Sequence, residues 1–373
     1  MRVSTLSLLP TMAAGQLLNQ VPEWILSKMF PWPGQPQVDK IDTHHHWVPA
    51  EYAEVVAAAG GDPSGWPTPQ WSLEASQALM SRAGIKTSIL SITAPGACIV
   101  EGKRSWDLAR TLNVKAAAIR DSNPQAFGFF LSLGNIEDTA AALAEISYAF
   151  DTLKADGVCL FSRYGSNTTY LGHPSLEPIW AELNRRKAVV FVHPTHPRDL
   201  GRANAQLPQP VVDYPHETTR TAMDMLFSGT RRKFPNCSVI LSHGGGTLPY
   251  LISRVATPLS VVNSTVSNAT TGLTYEQIMQ DFRSFHFDLA LSAAPAVVRS
   301  LMETGVPSGN ILYGSDFPYA PAPAYPAFLK QWNTIEVSSE FREQVHFRNA
   351  LELFPRLKEN GGGTNMSTGA CNL

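Results

Sequence analysis

The stretch KIDTHHHWVP, residues 40–49, places three histidines at the end of a hydrophobic segment, directly behind an aspartate. In a β-strand, successive side chains point to opposite faces of the sheet. A strand over this stretch would present His44 and His46 on one face, together with Asp42, and His45 on the other. The stretch therefore predicts a His-x-His pair at the end of a strand, with His45 contributing to packing.

Seven further hydrophobic stretches resemble strands, and helix-like segments separate them. They are KTSILSIT (86–93), AFGFFLSL (126–133), DGVCLFSRY (156–164), AVVFVHP (188–194), CSVILSHGG (237–245), SFHFDLAL (284–291) and NILYGSDFP (310–318). Near-continuous hydrophobic strands that alternate with helices are typical of a parallel sheet covered by helices. We predict an α/β fold, a (β/α)8 TIM barrel with an N-terminal extension. An open doubly wound sheet is the alternative, although no GxGxxG follows the first strand.

The barrel is predicted to span residues 38–358, which leaves a short segment at each end. Residues 1–37 are predicted to form an N-terminal extension, either a helix or a weak signal-like segment, that ends in the proline-rich FPWPGQPQ. Residues 359–373 are rich in Gly, Ser, Thr and Asn and are predicted to be a disordered tail. Because Pro10 interrupts the signal-like pattern, we expect a cytoplasmic protein, with secretion as the alternative.

Composition and charge narrow the range of partners. The 373 residues are 44% hydrophobic and 16% charged, and the formal net charge is −2. No basic stretch indicates a nucleic-acid partner, and no hydrophobic run reaches the roughly 18 residues of a membrane span. The four cysteines are scattered without a CxxC pair, so neither a zinc knuckle nor a disulfide framework is indicated.

Polar side chains occur at the C-terminal ends of four predicted strands. The first strand ends in His44 and His46, the fifth in His193, the sixth in His243 and the eighth in Asp316. In a (β/α)8 barrel these strand ends converge on the mouth where active sites are built. Imidazole and carboxylate groups suit a divalent metal such as Zn²⁺, with Mn²⁺ as the alternative. Packing or capping explains each residue singly, but the matching strand ends together predict a metal site.

The motifs around these residues resemble those of a known family. They are IDTHHHWVP (41–49), VVFVHP (189–194), ILSHGGGTLPYLISR (240–254), ILYGSDFPYAP (311–321) and FRNALELFPRL (347–357). They are similar to motifs of the amidohydrolase-related metal-dependent decarboxylases. That group includes aminocarboxymuconate-semialdehyde decarboxylase, resorcylate decarboxylase and the fungal methylsalicylate decarboxylases. The resemblance covers about residues 38–358.

The resemblance implies a role for each candidate residue. His243 would be the catalytic histidine beside the metal. Arg254, eleven residues further along the chain, would reach across a homodimer interface to the carboxylate of the neighbouring chain's substrate. The metal would be held by three histidines and one aspartate, His44, His46, His193 and Asp316.

Two departures from the family pattern bear on the metal count and the substrate. Binuclear amidohydrolases use a carboxylated lysine on the fourth strand, whereas GVCLFSRY (157–164) contains no lysine, so one metal is expected. The semialdehyde decarboxylase carries an arginine in the helix before its second strand, and WSLEASQALM (71–80) contains none. We therefore expect a monocarboxylic hydroxybenzoate rather than a dicarboxylate.

These observations predict a metal-dependent, non-oxidative decarboxylase, a carboxy-lyase of secondary metabolism that converts a 6-methylsalicylate-like aromatic acid to the phenol and CO2. Asp316 would deliver a proton to the ring carbon, and His243 would hydrogen-bond the substrate or a metal-bound water. Phe317, Trp47 and Tyr164 could line an aromatic slot, although packing explains them equally well. The alternatives are a metal-dependent hydrolase of a lactone, ester or amide, and a non-catalytic binding barrel.

Overall fold

Eight parallel strands form the centre of the fold in the computed structural model, which describes residues 31–34, 39–165, 169–199, 201–261 and 272–359. Each strand pairs with the next one along the chain, so the strand order in the sheet is the sequence order. The strands are β1 (Lys40–His46), β2 (Ile85–Ser91), β3 (Phe127–Leu131), β4 (Gly157–Phe161), β5 (Val189–His193), β6 (Ser238–Leu241), β7 (His286–Asp288) and β8 (Ile311–Leu312).

The sheet closes where the segment after β8 meets β1. The backbone N–H of His46 donates to Phe317 O at 2.6 Å, and the N–H of Asp316 donates to His44 O at 2.8 Å. We call this contact between β1 and residues 313–317 the seam of the barrel. Because the seam joins the first strand to the last, the sheet forms the closed ring expected of a (β/α)8 barrel.

Helices connect most of the consecutive strands. They are α1 (Ala50–Ala58), α2 (Leu73–Ala83), α3 (Gly102–Ser122), α4 (Thr139–Asp151), α5 (Glu177–Arg185), α6 (Gln209–Phe227), α7 (Thr230–Lys233), α8 (Leu248–Val261), α9 (Tyr275–Arg283), α10 (Pro295–Glu303), α11 (Ala324–Asn333), α12 (Ser339–Glu343), α13 (Asn349–Leu353) and α14 (Arg356–Glu359). A π-helical turn, Gln344–Arg348, joins α12 to α13. A short antiparallel pair, Arg163–Tyr164 with Thr169–Tyr170, follows β4.

The strands are buried on both faces, which explains their near-continuous hydrophobic sequences. Every residue of β3, β4 and β5 is buried. Phe130 of β3 stacks on Phe191 of β5 with ring centroids 5.2 Å apart, and the Phe191 centroid lies 4.9 Å from that of His44. The hydrophobic core therefore extends to the strand end that carries the histidines, where Phe191 packs against the His44 ring.

The predicted fold is confirmed, and each of the eight strands lies largely within its predicted stretch. The N-terminal extension (1–37) and the disordered tail (359–373) lie almost wholly outside the described residues, so these boundaries stay predictions. Within the described ranges, no helix is long and hydrophobic enough to cross a membrane.

Candidate active site

Side chains at the ends of β1 and β5 and in the seam converge at one end of the barrel. His44, His46, His193 and Asp316 are buried, and one ligand atom from each lies within 4.8 Å of the others. The Nε2 atoms of His44 and His46 are 3.0 Å apart. Asp316 Oδ1 lies 3.3 Å from His44 Nε2 and 3.2 Å from His46 Nε2. We call these four residues the metal cluster, and they are the four for which the family resemblance implies metal binding.

Hydrogen-bond acceptors hold the outer nitrogens of two cluster imidazoles. His193 Nδ1 lies 2.7 Å from Pro194 O, and His46 Nδ1 lies 2.9 Å from Ser91 Oγ and 3.3 Å from Ser91 O. Because a carbonyl oxygen can only accept, this arrangement favours the proton on Nδ1 and a lone pair on Nε2. The two imidazoles therefore present metal-binding lone pairs to the centre of the cluster.

Asp288, at the end of β7, orients the third imidazole. Its Oδ2 lies 3.1 Å from His44 Nδ1, and both side chains are fully buried. Its Oδ1 accepts the backbone N–H of His243 at 3.2 Å and that of Ala290 at 3.0 Å. A carboxylate behind a ligating histidine fixes the ring and increases its basicity. Asp288 is absent from the predicted site, because the predicted strand SFHFDLAL (284–291) continues for three residues beyond it, whereas β7 ends at Asp288.

The electrostatics of the cluster favour a bound cation. Burial alone would lower the pKa of His44, but Asp288 and Asp316 outweigh burial and raise this pKa to about 10. Burial would raise the pKa of Asp316, but His44 and His46 hold it well below its usual range. Positive charge is thus stabilised at His44, between the two carboxylates, whereas burial lowers the pKa of His46 and His193. Three imidazole nitrogens and a carboxylate oxygen are suitable donors for a divalent metal, so the residues present fit a metal site.

His243 stands beside the metal cluster, in the turn that follows β6. Its Nδ1 lies 2.9 Å from Ala290 O, and its Nε2 lies 4.0 Å from Asp316 Oδ2. The side chain is 13% exposed, and it lines the pocket that adjoins the cluster. An imidazole with its Nδ1 held and its Nε2 open to a pocket can exchange a proton or a hydrogen bond with a bound molecule.

His243 and Asp316 share a backbone conformation that is unusual for residues with side chains. Their φ angles are 56° and 59°, in the left-handed region. Three residues after His243, Gly246 also has a positive φ, and an added Cβ there would lie 2.0 Å from Pro215 O of α6. Such conformations concentrate at functional sites, where the surrounding structure enforces them. The two turns direct the side chains of His243 and Asp316 into the pocket.

The pocket has a volume of about 370 Å³, and His193, His243 and Asp316 form part of its wall. This volume is within the range of small-molecule sites and accommodates a substituted benzene ring. The aromatic and polar side chains of the remaining wall come mainly from loops and α6, and they include Asp62, Trp66, Thr93, Tyr214, Tyr319 and Phe328. Thr93 lies just after β2, and Tyr319 directly follows the predicted eighth stretch (310–318). The other residues do not follow barrel strands directly, so the strand-end rule could not find them.

The aromatic residues suggested for the slot are not in the pocket wall. Trp47 is 2% exposed and lies in the core. The Tyr164 hydroxyl accepts the backbone N–H of Phe161 at 2.9 Å. The Phe317 ring packs on His45 with centroids 5.1 Å apart. All three residues therefore serve packing, the alternative that the sequence left open.

His45 points away from the metal cluster, as predicted, but Asp42 does not share the face of His44 and His46. Asp42 Oδ2 lies 2.9 Å from His45 Nδ1, and Asp42 Oδ1 accepts the backbone N–H of Ser315 at 3.0 Å. The pairing of β1 with β2 shifts register between Asp42 and His45, and this irregularity breaks the two-residue alternation. Asp42 therefore stabilises the seam instead of facing the cluster.

Arg254 lies on the exposed side of α8, outside the pocket wall of its own chain. Tyr250, one turn earlier in α8, is 82% exposed. Two further exposed hydrophobic side chains, Leu207 and Val211, lie at the start of α6, which packs against α8. The position of Arg254 is compatible with a role in a second chain, which stays a prediction.

Comparison with known proteins relates the chain to the amidohydrolases and to fungal decarboxylases. A family model described as "Amidohydrolase" matches residues 41–356. A 6-methylsalicylic acid decarboxylase of Penicillium expansum is 50% identical over 320 residues, which cover 86% of this chain and 97% of that protein. A 6-methylsalicylic acid decarboxylase of Aspergillus aculeatus is 49% identical over 323 residues, with coverages of 86% and 97%.

A solved structure agrees with the fold. A dihydroxybenzoic acid decarboxylase from Polaromonas sp. JS666, with bound manganese and the inhibitor 2-nitroresorcinol, has a TM-score of 0.72 and 21% identity, covering 85% of this chain and 97% of that chain. At this identity the likeness supports the fold alone. The family model, however, spans the eight strands and the whole metal cluster. The chain therefore belongs to the amidohydrolase family.

Proposed function

We propose that the protein is a metal-dependent, non-oxidative decarboxylase that converts a hydroxylated aromatic carboxylic acid to the phenol and CO2. The observation that carries this proposal is the direct contact between the metal cluster and a ring-sized pocket with His243 and Asp316 in its wall. The two fungal relatives support a 6-methylsalicylate-like acid as the substrate. A setting in secondary metabolism and a cytoplasmic location stay predictions.

The residues of the site suggest how a proton reaches the ring. A metal in the cluster would bind the substrate carboxylate and the adjacent hydroxyl and so fix the ring. Asp316 starts as a carboxylate because His44 and His46 hold its pKa well below the usual range. It can take the proton of the substrate hydroxyl and pass it to the ring carbon that bears the carboxylate. The bond to that carboxylate then breaks, its electron pair restores the aromatic ring, CO2 leaves, and solvent reprotonates the phenolate.

Hydrolysis of a lactone is the alternative, because His243 beside the same ligands could activate water instead. The relatives of 49% and 50% identity support decarboxylation over hydrolysis. A panel of hydroxybenzoic acids and aryl lactones, assayed for CO2 release and for ring opening, tests the two activities on the same protein. We expect CO2 release from 6-methylsalicylate. Ring opening of a lactone without CO2 release from any acid would contradict the proposal.

We propose one Zn²⁺ per chain, with Mn²⁺ as the alternative. Three nitrogens and one carboxylate oxygen suit zinc, whereas the manganese of the Polaromonas structure motivates the alternative. His44, His243 and Asp288 form a second group whose ligand atoms lie within 4.8 Å of one another. We expect no second ion there, since the Asp288 oxygens already contact His44 Nδ1 and the backbone N–H groups of His243 and Ala290. Elemental analysis of the active protein identifies the metal and its stoichiometry.

We also propose that the enzyme is a homodimer in which Arg254 contacts the substrate of the neighbouring chain. A guanidinium binds a carboxylate through two parallel hydrogen bonds, which a lysine cannot reproduce. Arg254→Ala should therefore raise KM at least about 10-fold and leave the metal content unchanged, since a charge-assisted hydrogen bond contributes roughly 1.5–3 kcal/mol. Steady-state kinetics with elemental analysis measures both.

Mixing variants distinguishes a contribution from the neighbouring chain from one within the same chain. Dimers re-formed from Arg254→Ala and His243→Ala chains contain one intact composite site if Arg254 acts across the interface. Part of the activity should then return on mixing. Arg299, an exposed arginine of α10, provides the control for the kinetics, and Arg299→Ala should have a normal KM. A fully active monomer in sedimentation, or no recovery on mixing, would exclude the shared site.

A further inference from the structure

Asp288 contacts both halves of the site, the metal cluster and the turn that carries His243. Its side chain is fully buried at the end of β7. The Oδ2 atom lies 3.1 Å from Nδ1 of His44, the outer nitrogen of that cluster imidazole. The Oδ1 atom accepts two backbone N–H groups, from His243 at 3.2 Å and from Ala290 at 3.0 Å. One carboxylate therefore provides a separate oxygen for each half of the site.

The contacts of Oδ1 hold His243 both through its backbone and through its ring. The φ angle of His243 is 56°, a conformation that persists only where the surrounding structure enforces it. The backbone N–H of this residue donates directly to Asp288 Oδ1. Ala290 donates its own N–H to the same oxygen, and its carbonyl oxygen lies 2.9 Å from His243 Nδ1. Loss of Oδ1 would release the backbone of His243 together with the acceptor that holds its ring.

These contacts also determine which nitrogens of the two imidazoles face the reaction. A carboxylate accepts hydrogen bonds, so the contact with Asp288 Oδ2 keeps a proton on Nδ1 of His44. The nitrogen that remains available to a metal is Nε2, which lies in the metal cluster. A carbonyl oxygen also accepts, so Ala290 O keeps a proton on Nδ1 of His243. His243 therefore offers its Nε2 to the pocket.

We infer that Asp288 is a positioning residue with two separable roles: Oδ2 prepares His44 for metal binding, and Oδ1 holds His243 for proton transfer. Asparagine separates the roles because its amide oxygen can still accept both backbone N–H groups. Its NH2 group, however, then places a donor opposite His44 Nδ1, which favours the proton on Nε2, where the metal has to bind. The role toward His243 rests on the proposed decarboxylase function, whereas the role toward His44 does not.

The test compares Asp288→Asn with Asp288→Ala. Titration of the metal-free protein with Zn²⁺ should show that both variants bind the ion at least roughly 10–100-fold more weakly than the wild type. At saturating Zn²⁺, Asp288→Asn should keep most of its kcat, because its amide oxygen still accepts both backbone N–H groups. Asp288→Ala should lose at least about 10-fold in kcat under the same conditions, since a misplacement of about 1 Å can cost roughly 100-fold.

A double variant distinguishes positioning of His243 from general damage to the site. Added to His243→Ala, Asp288→Ala should cause no further loss of kcat at saturating Zn²⁺, because the ring that it positions is already absent. Asp281 provides the matched control, a buried carboxylate of α9 that pairs with Arg232 at 2.7 Å, away from the pocket wall. Asp281→Asn should leave Zn²⁺ affinity and kcat unchanged.

Imidazole 15N NMR provides a readout of His243 that is independent of turnover. The wild type and Asp288→Asn should show its proton fixed on Nδ1, and Asp288→Ala should show both tautomers. Wild-type Zn²⁺ affinity in Asp288→Asn overturns the role toward His44. An unchanged His243 spectrum in folded Asp288→Ala, or a full further loss of kcat in the double variant, overturns the role toward His243. Absence of CO2 release from every acid overturns the decarboxylase function, and the titration and the spectra still decide both roles of Asp288.

Discussion

His193→Ala is expected to remove most of the bound metal and nearly all of the decarboxylation. His193 is the one member of the metal cluster on β5, and Pro194 O holds its Nδ1 at 2.7 Å. Burial holds its pKa well below the usual range, so the imidazole is neutral and competes for metal without first losing a proton. Removal of a residue that only hydrogen-bonds to a metal ligand typically reduces metal affinity roughly 10–100-fold, and loss of the ligand itself should reduce it more. Elemental analysis after dialysis measures the metal per chain.

A second histidine of the same segment provides the matched control. His196 lies three residues further along the chain, is only partly buried, and belongs to none of the metal-binding groups found among the described residues. His196→Ala should therefore retain both metal and activity. If His193→Ala keeps its full metal content after dialysis while remaining folded, His193 is not a ligand and the cluster must be reassigned.

His243→Ala is expected to keep the metal and to lose at least about 100-fold in kcat, since a positioned acid, base or polarising group contributes at least this much. His243 is not one of the four residues of the metal cluster, and its Nε2 lies 4.0 Å from Asp316 Oδ2. Its side chain lines the pocket in which we propose that the substrate binds. Measuring kcat for CO2 release and the metal content of the same sample distinguishes a loss of catalysis from a loss of metal.

The control for His243 is a histidine of the neighbouring helix. His216 lies in α6, and its Nδ1 is 3.4 Å from Thr247 Oγ1, outside the pocket wall. His216→Ala should leave kcat and metal content unchanged. Turnover of His243→Ala within a few-fold of the wild type, with metal bound, would remove His243 from the mechanism. Loss of the metal in this variant would instead make His243 a ligand.

The fold and the position of a metal site at its mouth could be predicted from local patterns, whereas the choice of the four ligands, with His243 beside them, came from the family resemblance. Hydrophobic strands mark the parallel sheet, and polar residues at strand ends mark its mouth, which is where His44, His193 and Asp316 lie. The same rule missed Asp288, because the predicted seventh strand continued to Leu291, whereas β7 ends at Asp288. The role of His45 also followed from the two-residue alternation.

The rest of the pocket depends on tertiary contacts that the sequence does not display. Asp62 and Tyr214 come from a loop and a helix, and only the packing of the loop against α6 brings them to the cluster. Asp42 was wrongly placed on the face of the cluster because a register shift in β1 is not visible in the sequence. Pocket residues that lie outside strands have no sequence pattern comparable to a hydrophobic strand that ends in a polar residue.

The seam has a consequence for the order of events during synthesis. His44 and His46 belong to the first barrel strand, whereas Asp316, whose Oδ1 lies 3.3 Å and 3.2 Å from their Nε2 atoms, is made only after the eighth strand. A nascent chain therefore holds only an incomplete donor set until its last barrel strand has docked on the first. A metal held by this donor set would link the first strand to the segment after the last one, and it would favour the folded state by mass action. A chain that ends before Asp316 should lack part of the seam and should not retain the metal.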